Sequence, residues 1–230
     1  MCSSDLTPLA VLKGELEAIE DGVRQPTRDN LAALQNEVGA LTQLVDDLYE
    51  LALADVGALS YQMAPIDLRE VIEPELQLLR HVATERGLRV RAELPPQPLR
   101  VMGDAGRLRQ LLRNILTNAL RYTDAGEDVP AHIEVRLGLE GEQVAIDVVD
   151  APPGVPDELL PRLFDRFFRV EASRNRASGG SGLGLAICRS IAQAHEGSIE
   201  ARHAPSGGLW VAVRLPRAPR AASTGPAVLP

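Results

Sequence analysis

With 230 residues, 45% of them hydrophobic and 24% charged, the chain is long enough for one large or two small domains with an ordinary buried core. Its net charge of −8, from 24 basic and 32 acidic side chains, provides no basic field and excludes nucleic acid as the expected partner. No run of about 18 apolar residues occurs and no signal-peptide pattern opens the chain, so neither a bilayer span nor any membrane contact is expected.

Cys2 and Cys188 lie far apart without metal-type spacing, which suits a reduced, cytoplasmic compartment. Leu9, Leu12, Leu16 and Ile19 form one apolar series, and Leu31, Leu34, Val38, Leu41, Val45, Leu48 and Ala52 form another. Both advance in alternating three- and four-residue steps, the seam of coiled-coil-like helices. Gly22 to Pro26 separates them and predicts a helical hairpin over residues 7–60. A lone hairpin has little to bury that seam against, so a homodimer with a four-helix bundle is expected; packing on its own chain is the alternative.

After Tyr61 the pattern changes. Pro65–Asp67 reads as a short strand, Leu68–Arg86 as a helix, and Leu88–Glu93 and Leu99–Met102 as strands. Arg107–Thr123 is a strongly apolar helix, followed by strands at His132–Leu137 and Val144–Val149 around the turn residues Glu140-Gly141-Glu142. Residues 151–183 form a long connection, Gly184–His195 a helix, and Ser198–His203 with Leu209–Leu215 a closing strand pair. This interleaving predicts an α+β chain, with a mostly antiparallel layered domain over 65–216. The Pro/Ala-rich residues 217–230 are expected to be a disordered tail.

Three constellations carry chemistry. On the helix RLRQLLRNILTNALRYT, Gln110, Asn114, Asn118 and Arg121 recur at helical spacing beside Tyr122. An amide oxygen is a hard neutral ligand suited to a magnesium ion that bridges phosphates, and Arg121 offers positive charge to a phosphate; a solvent-facing polar stripe is the alternative. Gly179, Gly180, Gly182 and Gly184 lead into the next helix, where open N–H groups and the helix dipole attract phosphate. This run is neither a P-loop nor a Rossmann fingerprint. Asp150, ending an apolar strand, can accept from an adenine amino group, and Gly154 allows a tight base pocket. Phe164, Phe167 and Phe168, the chain's three phenylalanines, suggest a latch for a moving lid, a docking surface or a small satellite cluster.

In this order and spacing the three constellations resemble the asparagine, glycine-rich and phenylalanine boxes of sensor histidine kinases, members of the GHKL (Bergerat-fold) ATP-binding superfamily. The resemblance spans essentially the whole chain and implies an α/β-sandwich ATP-binding domain behind a dimerisation and phosphotransfer hairpin. It implies ATP and Mg2+ as cofactors, with Asn118 as the metal ligand and Asn114 and Arg121 near the phosphates. Tyr122, Asp150 and Gly154 would surround the adenine, and Gly180, Gly182, Leu183 and Gly184 would shape the lid end at the triphosphate. Pro152 departs from the usual Asp-x-Gly-x-Gly, removes an N–H and is expected to weaken nucleotide affinity. Asn114 stands where hydrolysing members of the superfamily carry a glutamate, so fast ATP hydrolysis is not expected.

The family's phosphotransfer helix carries His-Glu-Leu-Arg-Thr-Pro-Leu, whereas here Thr7-Pro8-Leu9 follows Ser3-Ser4-Asp5-Leu6. Ser3 thus holds the acceptor position, and a serine without a neighbouring base is a poor nucleophile. Either the protein is a natural pseudokinase or residues before Thr7 are not native; the abrupt loss of likeness there favours the second. The resemblance also implies a response-regulator receiver domain as partner, a phosphatase role at Thr7, and a parent protein anchored in the bacterial inner membrane with this piece in the cytoplasm. A non-catalytic nucleotide-binding dimeric module is the alternative.

Overall fold

The computed structural model describes the backbone of residues 7–123, 131–170 and 181–219, and side chains within those spans from residue 12 onward. The expected hairpin is formed by Thr7–Glu20 (α1) and Arg28–Asp55 (α2). Thr27 starts α2 by accepting a 3.2 Å hydrogen bond from the Asn30 N–H, satisfying one of the helix's open donors. The apolar seam stays uncovered in the single chain: Leu31, Val38, Val45 and Leu48 are 46% to 61% exposed. A different face of α2 is the buried one. Leu51 and Asp47 point into the rest of the molecule, at the i, i+4 spacing of a single helical stripe.

The second part interleaves Ala64–Asp67 (β1), Leu68–Glu85 (α3), Arg89–Glu93 (β2), Arg100–Gly103 (β3), Ala105–Tyr122 (α4), His132–Glu140 (β4) and Gln143–Val149 (β5). It closes with Gly184–Ala194 (α5), Ser198–His203 (β6) and Leu209–Pro216 (β7). The expected elements are all present within a few residues at each end. The main sheet has the order β2-β4-β5-β7-β6; only the β2–β4 pair is parallel, and β1–β3 forms a separate antiparallel ribbon. The expected α/β layer domain with a mostly antiparallel sheet is present, and the single parallel pair makes that sheet mixed.

Helices α3, α4 and α5 cover one face of that sheet. Leu111, Leu112 and Ile115 of α4 meet Ile133, Val135, Ile146 and Val148 of the strands in one continuous core. Each such side chain contributes about 1.5–3 kcal/mol by leaving water, so this layer fixes where the polar face of α4 points. On the uncovered sheet face, the buried Arg214 donates to Asp147 at 2.9 Å and to Glu140 at 2.8 Å, and Trp210 Nε1 donates to Asp147 at 2.9 Å.

Two features depart from the sequence reading. The connection after residue 151 contains a 3-10 helix at Asp157–Arg162, where a plain loop is expected. The fold also continues past Pro216: the Arg217 N–H donates to Glu142 O at 3.0 Å, the Ala218 N–H donates to Arg100 O at 2.8 Å, and Ala218 is buried. Backbone bonds thus carry the fold two residues past the composition-based boundary at 216, because such bonds reward a backbone whatever its side chains. Residues 220–230 of the expected tail lie outside the described residues.

Candidate nucleotide-binding site

Asp104 sets the position of α4. Its Oδ1 accepts from the Gly106 N–H at 2.9 Å and the Arg107 N–H at 3.1 Å, and its Oδ2 accepts from the Gln62 N–H at 2.9 Å. Burial pushes the Asp104 carboxyl up, but these backbone donors outweigh it and hold the group below its ordinary value. The Asp104 N–H donates to His195 Nε2 at 2.9 Å, while His195 Nδ1 lies 2.7 Å from Ile191 O. A carbonyl only accepts, so His195 is the neutral tautomer with its proton on Nδ1. Tyr61 meets the imidazole edge-on, with ring centroids 5.7 Å apart.

The polar face of α4 opens into a cavity of about 580 Å³, a size suited to a small ligand. Asn114, Asn118, Arg121 and Tyr122 of α4 line it. Across from them stand Asp150 and Gly154, and the start of α5 contributes Gly182 and Gly184. The cavity therefore gathers most of the residues singled out from the sequence. Leu183 is not among them: it is fully buried in the core and begins α5 without a side-chain cap. Gln110 also turns elsewhere, donating to Glu50 of α2 at 2.8 Å. Gly180 lies outside the described residues, Ser3 likewise, and Thr7 is the first residue of α1.

Electrostatically the site is uneven. Asp150 is 6% exposed, and its Oδ1 accepts from the Leu209 N–H at 2.5 Å. Burial pushes this carboxyl up to about 7, against the lowering effect of the Leu209 N–H. Arg113 is held by Glu75 at 3.0 Å. Among the described residues no carboxylate lies within 4.0 Å of Arg121, which leaves its charge for a ligand. Asn114 Nδ2 donates to Gly184 O at 3.2 Å, so the amide ties α4 to the start of α5.

The phenylalanine segment flanks the entrance. Phe164 is buried under Arg189, whose guanidinium carbon lies 4.9 Å from the ring centre, whereas Phe167 stays exposed. Gly182 has φ 70°, and a Cβ there would come 2.9 Å from the Phe167 carbonyl carbon. Only glycine lets the backbone pass so close to that turn. Pro153 lines the cavity, while Pro152 packs against the turn at Gly207.

The donor set fits magnesium held together with phosphates rather than a metal caged by protein. Among the described residues no cluster of three or more His, Cys, Asp or Glu side chains exists, and the Asn118 amide has no hydrogen-bond partner. One wall is not among the expected site residues: Ala40, Gln43, Leu44 and Asp47 of α2 also line the cavity. Burial pushes the Asp47 carboxyl above its ordinary value although Gln43 Nε2 donates to it at 2.8 Å. The series Gln43, Asp47, Leu51, Asp55, set off from the apolar seam, is the signal that marks a second contact face.

Residues 103–219 match the family model described as "Histidine kinase-, DNA gyrase B-, and HSP90-like ATPase", and the chain belongs to that family. Within it, this is a BaeS-like sensor histidine kinase chain. It is 51% identical over 210 residues to the signal transduction histidine-protein kinase BaeS of Escherichia coli, covering 91% of this chain and 44% of BaeS. The solved histidine kinase AdeS of Acinetobacter baumannii superposes with a TM-score of 0.76 at 26% identity, over 91% of this chain and 95% of that one. Full-length ShkA, solved in complex with AMPPNP, gives a TM-score of 0.69 at 25% identity, over 94% and 44% of the two chains. The chain thus spans less than half the length of BaeS. No described helix is long and apolar enough to cross a membrane.

Proposed function

We propose that this chain is the catalytic part of a two-component sensor kinase that positions Mg-ATP for transfer of the γ-phosphoryl group to a bundle histidine and then to a response-regulator aspartate. The observation that carries this reading is the single cavity in which Asn114, Asn118, Arg121, Tyr122, Asp150, Gly154, Gly182 and Gly184 converge. Asp150 and Tyr122 hold the adenine, Gly154 leaves room for it, and Arg121 with the open N-terminus of α5 binds the phosphates. A magnesium ion held by Asn118 and waters would neutralise the phosphate charge. Asn114 is an amide and activates no water, so the nucleotide is kept for transfer rather than hydrolysed. Positioning and charge neutralisation do the work in such a reaction.

The exposed seam of α2 supports a homodimer in which two hairpins pair as a four-helix bundle. The parent protein is membrane-anchored in the bacterial inner membrane, with this piece in the cytoplasm. Ser3 occupies the acceptor position, so this chain binds ATP without phosphorylating itself. Incubation with γ-labelled ATP is expected to leave no acid-labile phosphohistidine, and restoring the His-Glu-Leu-Arg motif at residues 3–6 is expected to produce it. Label on the unmodified chain would refute this reading of Ser3.

Asn118→Ala is expected to abolish the magnesium dependence of ATP binding and weaken Mg-ATP by about tenfold or more, measured by calorimetry with and without the metal. A second reading, favoured by Ser3, is a pseudokinase module or a phosphatase acting through Thr7, which would hold the regulator and use nucleotide only as a conformational ligand. Regulator binding that is indifferent to Asn118→Ala supports the module. Dephosphorylation of a phosphorylated regulator, lost in Thr7→Ala, supports the phosphatase.

A further inference from the structure

Asp47 is a buried carboxylate that the proposed transfer does not use. It belongs to α2, outside the family-matched residues 103–219, yet it lines the same cavity as Asn114, Asn118 and Arg121. It is 8% exposed, and among the described residues no cation lies within 4.0 Å of it. Its described hydrogen-bond partner is neutral: Gln43 Nε2 donates at 2.8 Å, and Ser181 lines the same cavity. Ser181 Oγ in turn accepts from the Leu183 N–H at 3.3 Å. Leu183 begins α5, whose first turn carries no side-chain cap. Ser181, Gly182 and Gly184 line the cavity together with Asp47, so a carboxylate from α2 shares it with a helix N-terminus that attracts negative charge.

The helix that brings it there is fastened from both sides. Glu50 pairs with Arg107 at 2.6 Å and accepts from Gln110 at 2.8 Å. Asp55 accepts from Arg166 Nη1 at 2.7 Å and also pairs with Nη2 of the same guanidinium. Leu51 is buried between these two links. Arg166 precedes Phe167, whose backbone touches Gly182, so the second link reaches the same end of the cavity.

We propose that Asp47 stands in for the terminal phosphate of the nucleotide while α2 is docked, so that the docked chain prefers ADP to ATP and release of α2 favours ATP. The inference rests on the nucleotide reading above. Like charges repel strongly in a site shielded from water, and ADP lacks the phosphoryl group that would meet Asp47. Asp47 is thus a specificity-determining side chain supplied by the bundle rather than by the ATP-binding layer.

The test titrates ADP, ATP and adenosine into the 230-residue chain by calorimetry, with wild type, Asp47→Asn and Glu50→Lys compared. Asp47→Asn keeps the shape and the Gln43 contact but removes the charge. It is expected to tighten ATP by about tenfold while ADP changes by less than about twofold. Glu50→Lys, which repels Arg107 without touching the cavity, is expected to shift the ATP-to-ADP ratio in the same direction and keeps the test decisive if Asp47→Asn fails to fold. An unchanged ratio overturns the proposal. Weaker ATP binding in Asp47→Asn also overturns it, since Asp47 would then be supporting a phosphate-bound metal. If none of the three ligands binds any of the three chains, the nucleotide reading itself fails, an outcome distinct from binding with an unchanged ratio.

Discussion

Asp150→Asn is expected to stabilise the nucleotide-free protein and weaken its hold on ATP. The Asp150 carboxyl is buried, its single described donor is the Leu209 N–H, and its ionisation is pushed up from 3.8 to about 7. Between those values the folded chain holds a proton that the unfolded chain has released, so stability falls as pH rises from about 4 to about 7 and is level above. A carboxyl held about three pH units high costs roughly 4 kcal/mol once ionised. The asparagine variant, which cannot ionise, should recover about half of that at pH 8, a rise of about 4–8 °C in melting temperature.

ATP binding responds in the opposite sense. A carboxylate accepting from an adenine amino group makes a charge-assisted bond worth about 1.5–3 kcal/mol, so the variant should bind ATP about 10- to 100-fold more weakly. Because the bound base favours the ionised carboxylate, binding near pH 7 should release a proton from Asp150. Calorimetric heats measured in buffers of different ionisation enthalpy should then diverge for the wild type and coincide for Asp150→Asn. Coincident heats in the wild type, with unaltered affinity in the variant, would refute the assignment of Asp150.

The second large effect is expected at Gly208. A Cβ built there lies 2.2 Å from Asp150 O and 2.5 Å from Asp150 Oδ1, distances that no real carbon contact tolerates. Neither obstacle is the end of a long side chain that could swing aside. Gly208→Ala must push the start of β7 away from the end of β5 and break the paired bonds between Asp150 and Leu209. Overpacking of this kind costs about 3 kcal/mol, or about 6–12 °C in melting temperature, and should take ATP binding with it. Gly138→Ala in β4 is the control, because nothing lies within 4 Å of its added carbon. Its stability should stay within about 0.5 kcal/mol of wild type. Equal melting of the two variants would show that the close approach at Gly208 is without consequence.

What the sequence disclosed and what it withheld follow a physical division. The helices α1, α2 and α4 and the alternating strands were legible because periodicity is a local property, repeated many times within one element. The cavity was legible to the extent that its residues cluster in α4 and in two glycine-punctuated segments. Asp47 was not: the series Gln43, Asp47, Leu51, Asp55 marks a second contact face, but what that face meets depends on how a helix some sixty residues earlier in the chain packs. The burial of Asp150 against the Leu209 N–H and the need for glycine at 208 were equally hidden, because each depends on two strand ends meeting across the sheet. The 3-10 helix at Asp157–Arg162 escaped for a different reason: one short turn containing Pro161 carries no period to detect. Composition misjudged Arg217 and Ala218, whose backbone bonds hold them regardless of their side chains.

Asp104 divides its two carboxylate oxygens between separate tasks. Oδ1 serves the first turn of α4, and Oδ2 alone receives the N–H of Gln62 from the segment that follows α2. Loss of the Gln62 contact by itself therefore costs about one hydrogen bond and leaves both Oδ1 bonds to the helix start in place. The tie to the hairpin and the cap of the helix that carries the cavity amides are thus separate functions of one side chain, and a change at Gln62 touches only the first.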